Sequence, residues 1–87
     1  MKNRKIKFSR PSEKSFFKLP GEIREAAYEK LGIFLKEPSH PSLRVKKVKG
    51  TDTIWEMSVT MNYRITFQVG EEVFLRHIGT HDILRRP

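Results

Sequence analysis

Hydrophobic and polar residues alternate most regularly over residues 62–69. A period of two is typical of a strand with one buried face, so the segment predicts a strand whose apolar side carries Tyr63, Ile65, Phe67 and Val69. Residues 70–72, Gly-Glu-Glu, then predict a tight hairpin turn. Residues 73–78 have apolar positions on both faces, which predicts a central strand that ends at Gly79.

A second kind of periodicity, with apolar residues three to four apart, runs through residues 21–36. It predicts an amphipathic helix whose buried stripe contains Ile23, Ala27, Leu31 and Phe34. Tyr28 is assigned to the core in preference to a contact with a partner. A shorter helix is predicted before Pro20, with Ser12 as its N-cap and with Phe16, Phe17 and Leu19 as residues to bury.

Two further strands complete the pattern. Ile6 alternates with lysines in the first, which suits an edge strand, and residues 54–60 predict the second, with Glu56 and Ser58 opposite its apolar face. Residues 37–53 are predicted to be a basic loop. The order β-α-α-β-β-β indicates an α+β fold, with a two-helix hairpin on one face of a small, mainly antiparallel sheet and the other face partly open. The first strand pairs either at an edge or beside a later strand.

The composition narrows the classes of protein that remain. The chain has 87 residues, which predicts one domain over residues 1–87. It contains no cysteine, so disulfides and thiolate chemistry are excluded. We expect a cytoplasmic protein that does not engage a membrane, because no apolar run is long enough for a signal peptide or a membrane span.

The net charge of +8 points to an acidic partner or to nucleic acid. Much of this charge lies in one short segment that contains Arg44, Lys46, Lys47 and Lys49. We predict that these residues, together with Arg85 and Arg86, contact RNA phosphates. The alternative is that the run is an ordinary solvated face.

The residue types restrict the chemistry. No glycine-rich phosphate loop and no nucleophile elbow is present. His77, His81 and Asp82 have a spacing that suits a metal site on a helix, but the segment is predicted as strand and turn, so no metal and no small-molecule cofactor is expected.

What remains suits metal-independent cleavage of RNA, which carries its own nucleophile, the 2′-hydroxyl. Arg64 is then a candidate for stabilising charge on the phosphate, and His81 is a candidate for proton transfer. Each has a structural alternative. Arg64 can instead pair with Glu56 across the strands, and His81 can simply bond a backbone carbonyl.

Two segments carry a family resemblance, FFKLPGEIREAAYEKLGIFLKEPSHPSLRVKKVKG and WEMSVTMNYRITFQVGEEVFLRHIGTHD. In their order and spacing they resemble the RelE/ParE superfamily of toxins from bacterial toxin–antitoxin systems. The resemblance implies a small ribonuclease that cuts mRNA in the ribosomal A site and that a cognate acidic antitoxin restrains.

The resemblance also implies roles for individual residues. Arg64 matches the arginine of the strand YRITF, and His81 matches the histidine that follows Gly-Thr in RHIGTHD. The lysines of residues 46–49 match the basic surface that approaches the ribosome and its RNA. Arg76 and His77 are secondary candidates, because strand alternation predicts that they lie on opposite faces and that only one of them lines the site.

The chain also departs from the RelE pattern. RelE carries lysines on the strand where this chain has Glu56 and Ser58, and many members have a C-terminal aromatic residue where Leu84 stands. These departures favour an attenuated or inactive member. ParE-type members share the fold but inhibit DNA gyrase, so a non-enzymatic gyrase inhibitor is one alternative function. The other is a basic domain that binds RNA or protein without catalysis.

Overall fold

The computed structural model describes residues 4–87; residues 1–3 of the expected domain and of its basic N-terminal stretch lie outside this range. The elements in chain order are β1 (Ile6–Phe8), α1 (Arg10–Lys18), α2 (Gly21–Lys36), a 3-10 turn (Pro41–Leu43), β2 (Lys46–Lys47), β3 (Trp55–Ser58), β4 (Tyr63–Val69), β5 (Val73–Thr80) and a second 3-10 turn (His81–Arg85). The predicted α+β class is confirmed. No helix among residues 4–87 is long and apolar enough to cross a membrane.

The strands form one sheet in the order β1-β5-β4-β3-β2. All neighbours are antiparallel except β1 and β5, which run parallel with Ile6 opposite Val73. The open question about the first strand is therefore settled, because β1 occupies an edge and pairs with β5. The predicted central strand, β5, lies between β1 and β4.

Some local predictions were wrong. The loop of residues 37–53 contains the short edge strand β2, which has no apolar side chain to signal it and is held by pairing with β3. The N-cap of α1 is Ser9 and not Ser12, because Ser9 Oγ accepts the backbone N–H of Ser12 at 3.1 Å while Pro11 fits the first turn. Strand β5 continues through Gly79 to Thr80, where it still pairs with β4.

The hydrophobic core lies between the sheet and α2. Ala27, Leu31 and Phe34 of α2 pack with buried residues of the sheet, and the rings of Phe34 and Phe67 meet edge to face with centroids 5.2 Å apart. Tyr28, predicted to be a core residue, is instead 74% exposed. It falls beside the buried stripe of α2, where nothing in the described chain covers it.

Candidate active site

Arg64 lies on β4, on the face of the sheet opposite the core, because its neighbours Ile65 and Tyr63 belong to the core side. Its Nη1 donates to the carbonyl oxygens of Thr60, Met61 and Tyr63 at 2.6, 2.9 and 3.1 Å. The guanidinium therefore fixes the loop between β3 and β4. Nη2 forms no hydrogen bond with any residue in the range 4–87, so this end of the fork is free to donate to an anion.

Glu56 forms an ion pair with Arg64. Arg64 Nε lies 3.5 Å from Glu56 Oε1, and the two side chains are only 11% and 7% exposed. Lys46 is the register partner of Glu56 and shares its face of the sheet. Arg64 and Lys46 thus share this face with the single carboxylate of Glu56, which pairs with Arg64, so the three residues together keep a net positive charge.

His81 reaches the same loop from the 3-10 turn that follows β5. Its Nε2 lies 3.2 Å from the carbonyl oxygen of Met61, which is the oxygen that also accepts from Arg64. The histidine is exposed. Arg64 and His81, separated by 17 residues in sequence, are therefore brought together at one backbone carbonyl. Both structural alternatives are present as well, since Arg64 pairs with Glu56 and His81 bonds a carbonyl.

Arg76 and His77 lie on the same face, against the prediction that they face opposite sides. The register between β4 and β5 shifts at Thr66 and Phe67, so that Thr66 is opposite His77 while Phe67 is opposite Leu75. Arg76 is the extra residue of this bulge, which interrupts the alternation of side chains. Its Nη1 donates to Gln68 Oε1 at 2.9 Å, on the face that carries Arg64.

The surroundings of His77 on this face favour its neutral form. Burial, and then the nearby positive charge of Arg76, lower the pKa of His77 from its ordinary value of 6.5. His77 is therefore neutral at pH 7, a form that can accept a proton but adds no positive charge.

The segment after β5 crosses this face and covers part of it. A main-chain oxygen of Pro87 accepts from Thr66 Oγ1 at 3.2 Å and from Arg76 Nε at 2.8 Å. Ile83 packs so closely on Gly79 that a Cβ at that position would lie 2.9 Å from Ile83 Cγ2. The covered part surrounds Thr66 and Arg76, while Arg85 and Arg86 remain exposed at the end of the segment.

The predicted RNA-binding lysines are divided by the fold. Lys46 and Lys47 are consecutive in β2, and their register partners are Glu56 and Trp55. Lys46 therefore joins the face that carries Arg64, whereas Lys47 Nζ lies 5.3 Å from the centre of the Trp55 ring on the core side. Lys49 is exposed in the turn after β2. Of the consecutive pair, only Lys46 lies on the face of the candidate site.

Arg44 occupies a cleft next to the loop that Arg64 holds. The cleft measures about 240 Å³ and is lined by Lys30, Ser42, Arg44 and residues 58–61. Arg44 has φ of 49°, the only positive value for a residue other than glycine within residues 4–87. A left-handed conformation costs an L-residue roughly 1–2 kcal/mol, and such strain often accompanies a functional side chain.

An apolar groove on the helical side had not been predicted. It measures about 420 Å³ and lies between α1, α2 and β1, where Phe17 is 67% exposed and Tyr28 is 74% exposed. Gly32 also lines it, and a Cβ at Gly32 would meet nothing within 4 Å. The signal in the sequence was the large apolar residues outside the buried stripe, Phe17 on α1 and Tyr28 and Leu35 on α2.

Within residues 4–87, no group of three or more His, Asp or Glu side chains is arranged to hold a metal ion. This face presents three groups that can act in catalysis: the guanidinium of Arg64, which is fixed by hydrogen bonds, the exposed imidazole of His81 and the neutral imidazole of His77.

No protein-family model and no curated relative matches the sequence. Solved structures do match. A chain of the RelB–RelE antitoxin–toxin complex from Methanococcus jannaschii has a TM-score of 0.72 at 22% identity, with 91% of this chain and 94% of that chain covered. The isolated RelE toxin of E. coli has a TM-score of 0.70 at 23% identity, with coverage of 88% and 83%. YoeB from Staphylococcus aureus, solved as a dimer, has a TM-score of 0.71 at 12% identity, with coverage of 92% and 99%. The chain therefore has the fold of RelE-type toxins.

Proposed function

We propose that the protein is the toxin of a toxin–antitoxin pair and that it cuts mRNA on the ribosome. The observation that carries the proposal is the convergence of Arg64 and His81 on the carbonyl oxygen of Met61. This convergence supports a site in which Arg64 binds a phosphate and the neighbouring His81 transfers a proton. The shared fold with toxins of such pairs supports the same function.

Cleavage of RNA at this site needs few groups. The 2′-hydroxyl attacks the adjacent phosphorus, a base takes its proton, an acid protonates the leaving 5′-oxygen, and the products are a 2′,3′-cyclic phosphate and a 5′-hydroxyl. We assign the free Nη2 of Arg64 to the phosphate oxygens, whose negative charge grows in the transition state. His81 carries one of the two protons, as base or as acid. Where His81 is the acid that protonates the 5′-oxygen, the neutral form of His77 is available as the base that takes the proton of the 2′-hydroxyl.

A protein partner is the second part of the proposal. Solved relatives of this fold include antitoxin–toxin complexes, and this chain leaves a large apolar groove uncovered beside Phe17 and Tyr28. We propose that an acidic antitoxin fills this groove with an apolar segment and counters the charge of +8.

The test of cleavage is primer-extension mapping of mRNA ends after induction of the protein in cells, repeated on purified ribosomes. His81→Gln is the first variant, because an exposed side chain can change without disturbing the core. Loss of a positioned proton carrier lowers the rate about a hundredfold or more.

Arg64 needs a compensated variant. Removing the arginine alone leaves Glu56 buried and unpaired, a cost of about 3–5 kcal/mol that can unfold the chain. The pair Arg64→Gln with Glu56→Gln removes both charges, and Glu56→Gln alone is its matched control. We expect the double variant to stay folded and to lose cleavage about a hundredfold. Parent-like cleavage by both the His81 and the Arg64 variants shows that the catalytic site lies elsewhere. It then favours gyrase inhibition or binding without catalysis as the function.

A further inference from the structure

The side chain of Met61 is the most exposed large hydrophobic group in the described part of the chain, at 83%. The backbone of Met61 is nevertheless fixed, because Arg64 Nη1 and His81 Nε2 lie 2.9 and 3.2 Å from its carbonyl oxygen. The two candidate catalytic residues thus anchor the backbone from which an apolar side chain extends into solvent, next to the place where we propose the scissile phosphate binds. The fold does not require an apolar residue at position 61, since any polar residue can occupy an exposed loop.

The cleft on the other side of Met61 is positively charged. Lys30 reaches it from α2, where its Nζ donates to the carbonyl oxygen of Ser42 at 3.3 Å. Arg44 enters from the 3-10 turn, with a backbone conformation that glycine or asparagine adopts more readily. No acidic side chain is among the residues that line the cleft within residues 4–87.

An apolar surface next to two cations matches the parts of a nucleotide. A base has an apolar face that packs on a flat or flexible hydrophobic group, and its phosphate binds cations. Methionine is flexible and polarisable, so it can cover bases of different shapes.

We propose that this cleft is a nucleotide subsite in which Met61 packs against an RNA base and in which Lys30 and Arg44 bind the phosphate next to it. The subsite deepens the proposed function, since it places the nucleotide that adjoins the scissile bond. An acidic protein segment is the competing occupant. The cleft favours a nucleotide because Met61 is the only exposed apolar side chain among its lining residues within residues 4–87, Val59 being buried. A protein segment needs a longer apolar surface, such as the groove beside Tyr28.

Methionine methyl groups provide a direct test. Protein labelled with ¹³C at these methyls is titrated with a 2′-O-methyl dinucleotide, which binds like RNA and cannot be cut because its 2′-oxygen is blocked. The chain has three methionines. Met57 is fully buried and serves as the internal control for a global change. We expect a saturable shift of the Met61 methyl, no shift of Met57 and little effect of inorganic phosphate alone.

Charge variants locate the phosphate. Lys30→Gln and Arg44→Asn should each weaken dinucleotide binding about two- to fivefold, which is typical for one exposed ion pair. Lys14→Gln, an exposed position on α1, removes the same charge away from the cleft and should leave binding unchanged. A Met61 methyl that does not move at millimolar dinucleotide overturns the proposal. So does a Met61 methyl that moves together with Met57, or one that responds to an acidic peptide and not to the dinucleotide.

A cleavage assay separates this inference from the proposed function. If the parent protein cuts mRNA, Met61→Ala should lower kcat/KM about tenfold or less through KM, and Met61→Leu should restore most of it. Parent-like cleavage by Met61→Ala contradicts the proposed subsite but not the proposed ribonuclease activity. If the parent protein does not cut RNA, the proposed function fails, and the titration alone decides whether nucleotides bind.

Discussion

The two faces of the sheet are built from the same strands and differ in almost every other respect. Towards α2 the strands present Met57, Ile65 and Phe67, each at most 1% exposed. On the opposite face Glu56 and Thr66 are also buried, but the elements that hold them are an ion pair, hydrogen bonds and the crossing segment of residues 81–87.

The contrast shows that different faces of one sheet supply the stability and the geometry of the charged groups. Burial of apolar side chains stabilises the fold without specifying chemistry. Burial of polar groups stabilises little in net terms, because each contact replaces contacts with water, yet it fixes the geometry of charged groups. The core face therefore holds the chain together, and the opposite face positions Arg64, His77 and His81.

The largest expected effect comes from truncation on the core face. Phe67→Ala removes the ring that meets Phe34 and should destabilise the protein by about 3–5 kcal/mol. Thr66→Val, the next residue on the other face, removes one hydrogen bond to Pro87 and should cost only about 0.5–1.5 kcal/mol, because Arg76 still satisfies that oxygen. Urea denaturation followed by the fluorescence of Trp55 measures both. Equal losses at the two positions contradict the division between the faces.

Two glycines provide a smaller contrast. Gly79→Ala brings a methyl group within 2.9 Å of Ile83 Cγ2 and should destabilise the protein by about 1–3 kcal/mol through overpacking. Gly32→Ala in the middle of α2 meets nothing within 4 Å and should stabilise it by about 0.4–1 kcal/mol, since alanine is the better helix former.

The Gly79 effect has an internal check. In an Ile83→Ala background the γ2 methyl is gone, so Gly79→Ala should cost much less than in the parent protein. A cost that is unchanged in that background shows that the strain arises elsewhere than under the crossing segment. Thermal unfolding of the four variants of this cycle measures the coupling.

The sequence predicted the core face well because its information is periodic. Alternation over β4 and the three-to-four spacing of α2 identified the residues that meet in the core, and they did so without knowledge of the strand order. Strand β2 escaped prediction because two lysines on an edge leave no hydrophobic pattern.

The opposite face was predicted only in part, since its geometry depends on contacts distant in sequence. Arg64 and His81 could be named, but their meeting at the carbonyl of Met61 requires the hairpin and the turn after it. The bulge at Arg76 interrupts the expected alternation of side chains between the two faces, and no residue in β5 predicts this bulge. The cover that Ile83 and Pro87 provide depends on the path of the crossing segment, which carries no periodic signal.

The smallest expected effect concerns the pH dependence that His77 confers. Burial and the charge of Arg76 lower the pKa of His77 below 6.5 in the folded chain, while the unfolded chain keeps the ordinary value. Between these two values the unfolded state binds more protons, so the stability falls as the pH drops through that window and levels off below it. His77→Gln should remove this part of the slope between pH 8 and pH 5, measured as urea midpoints against those of the parent.

Arg76→Gln is the sharper variant, because it removes the charge but keeps most of the burial. It should move the pKa of His77 upward, as the titration of the ring signals by NMR can show. A parent-like slope in His77→Gln assigns the pH dependence to other groups and removes the reason to treat His77 as a neutral proton acceptor.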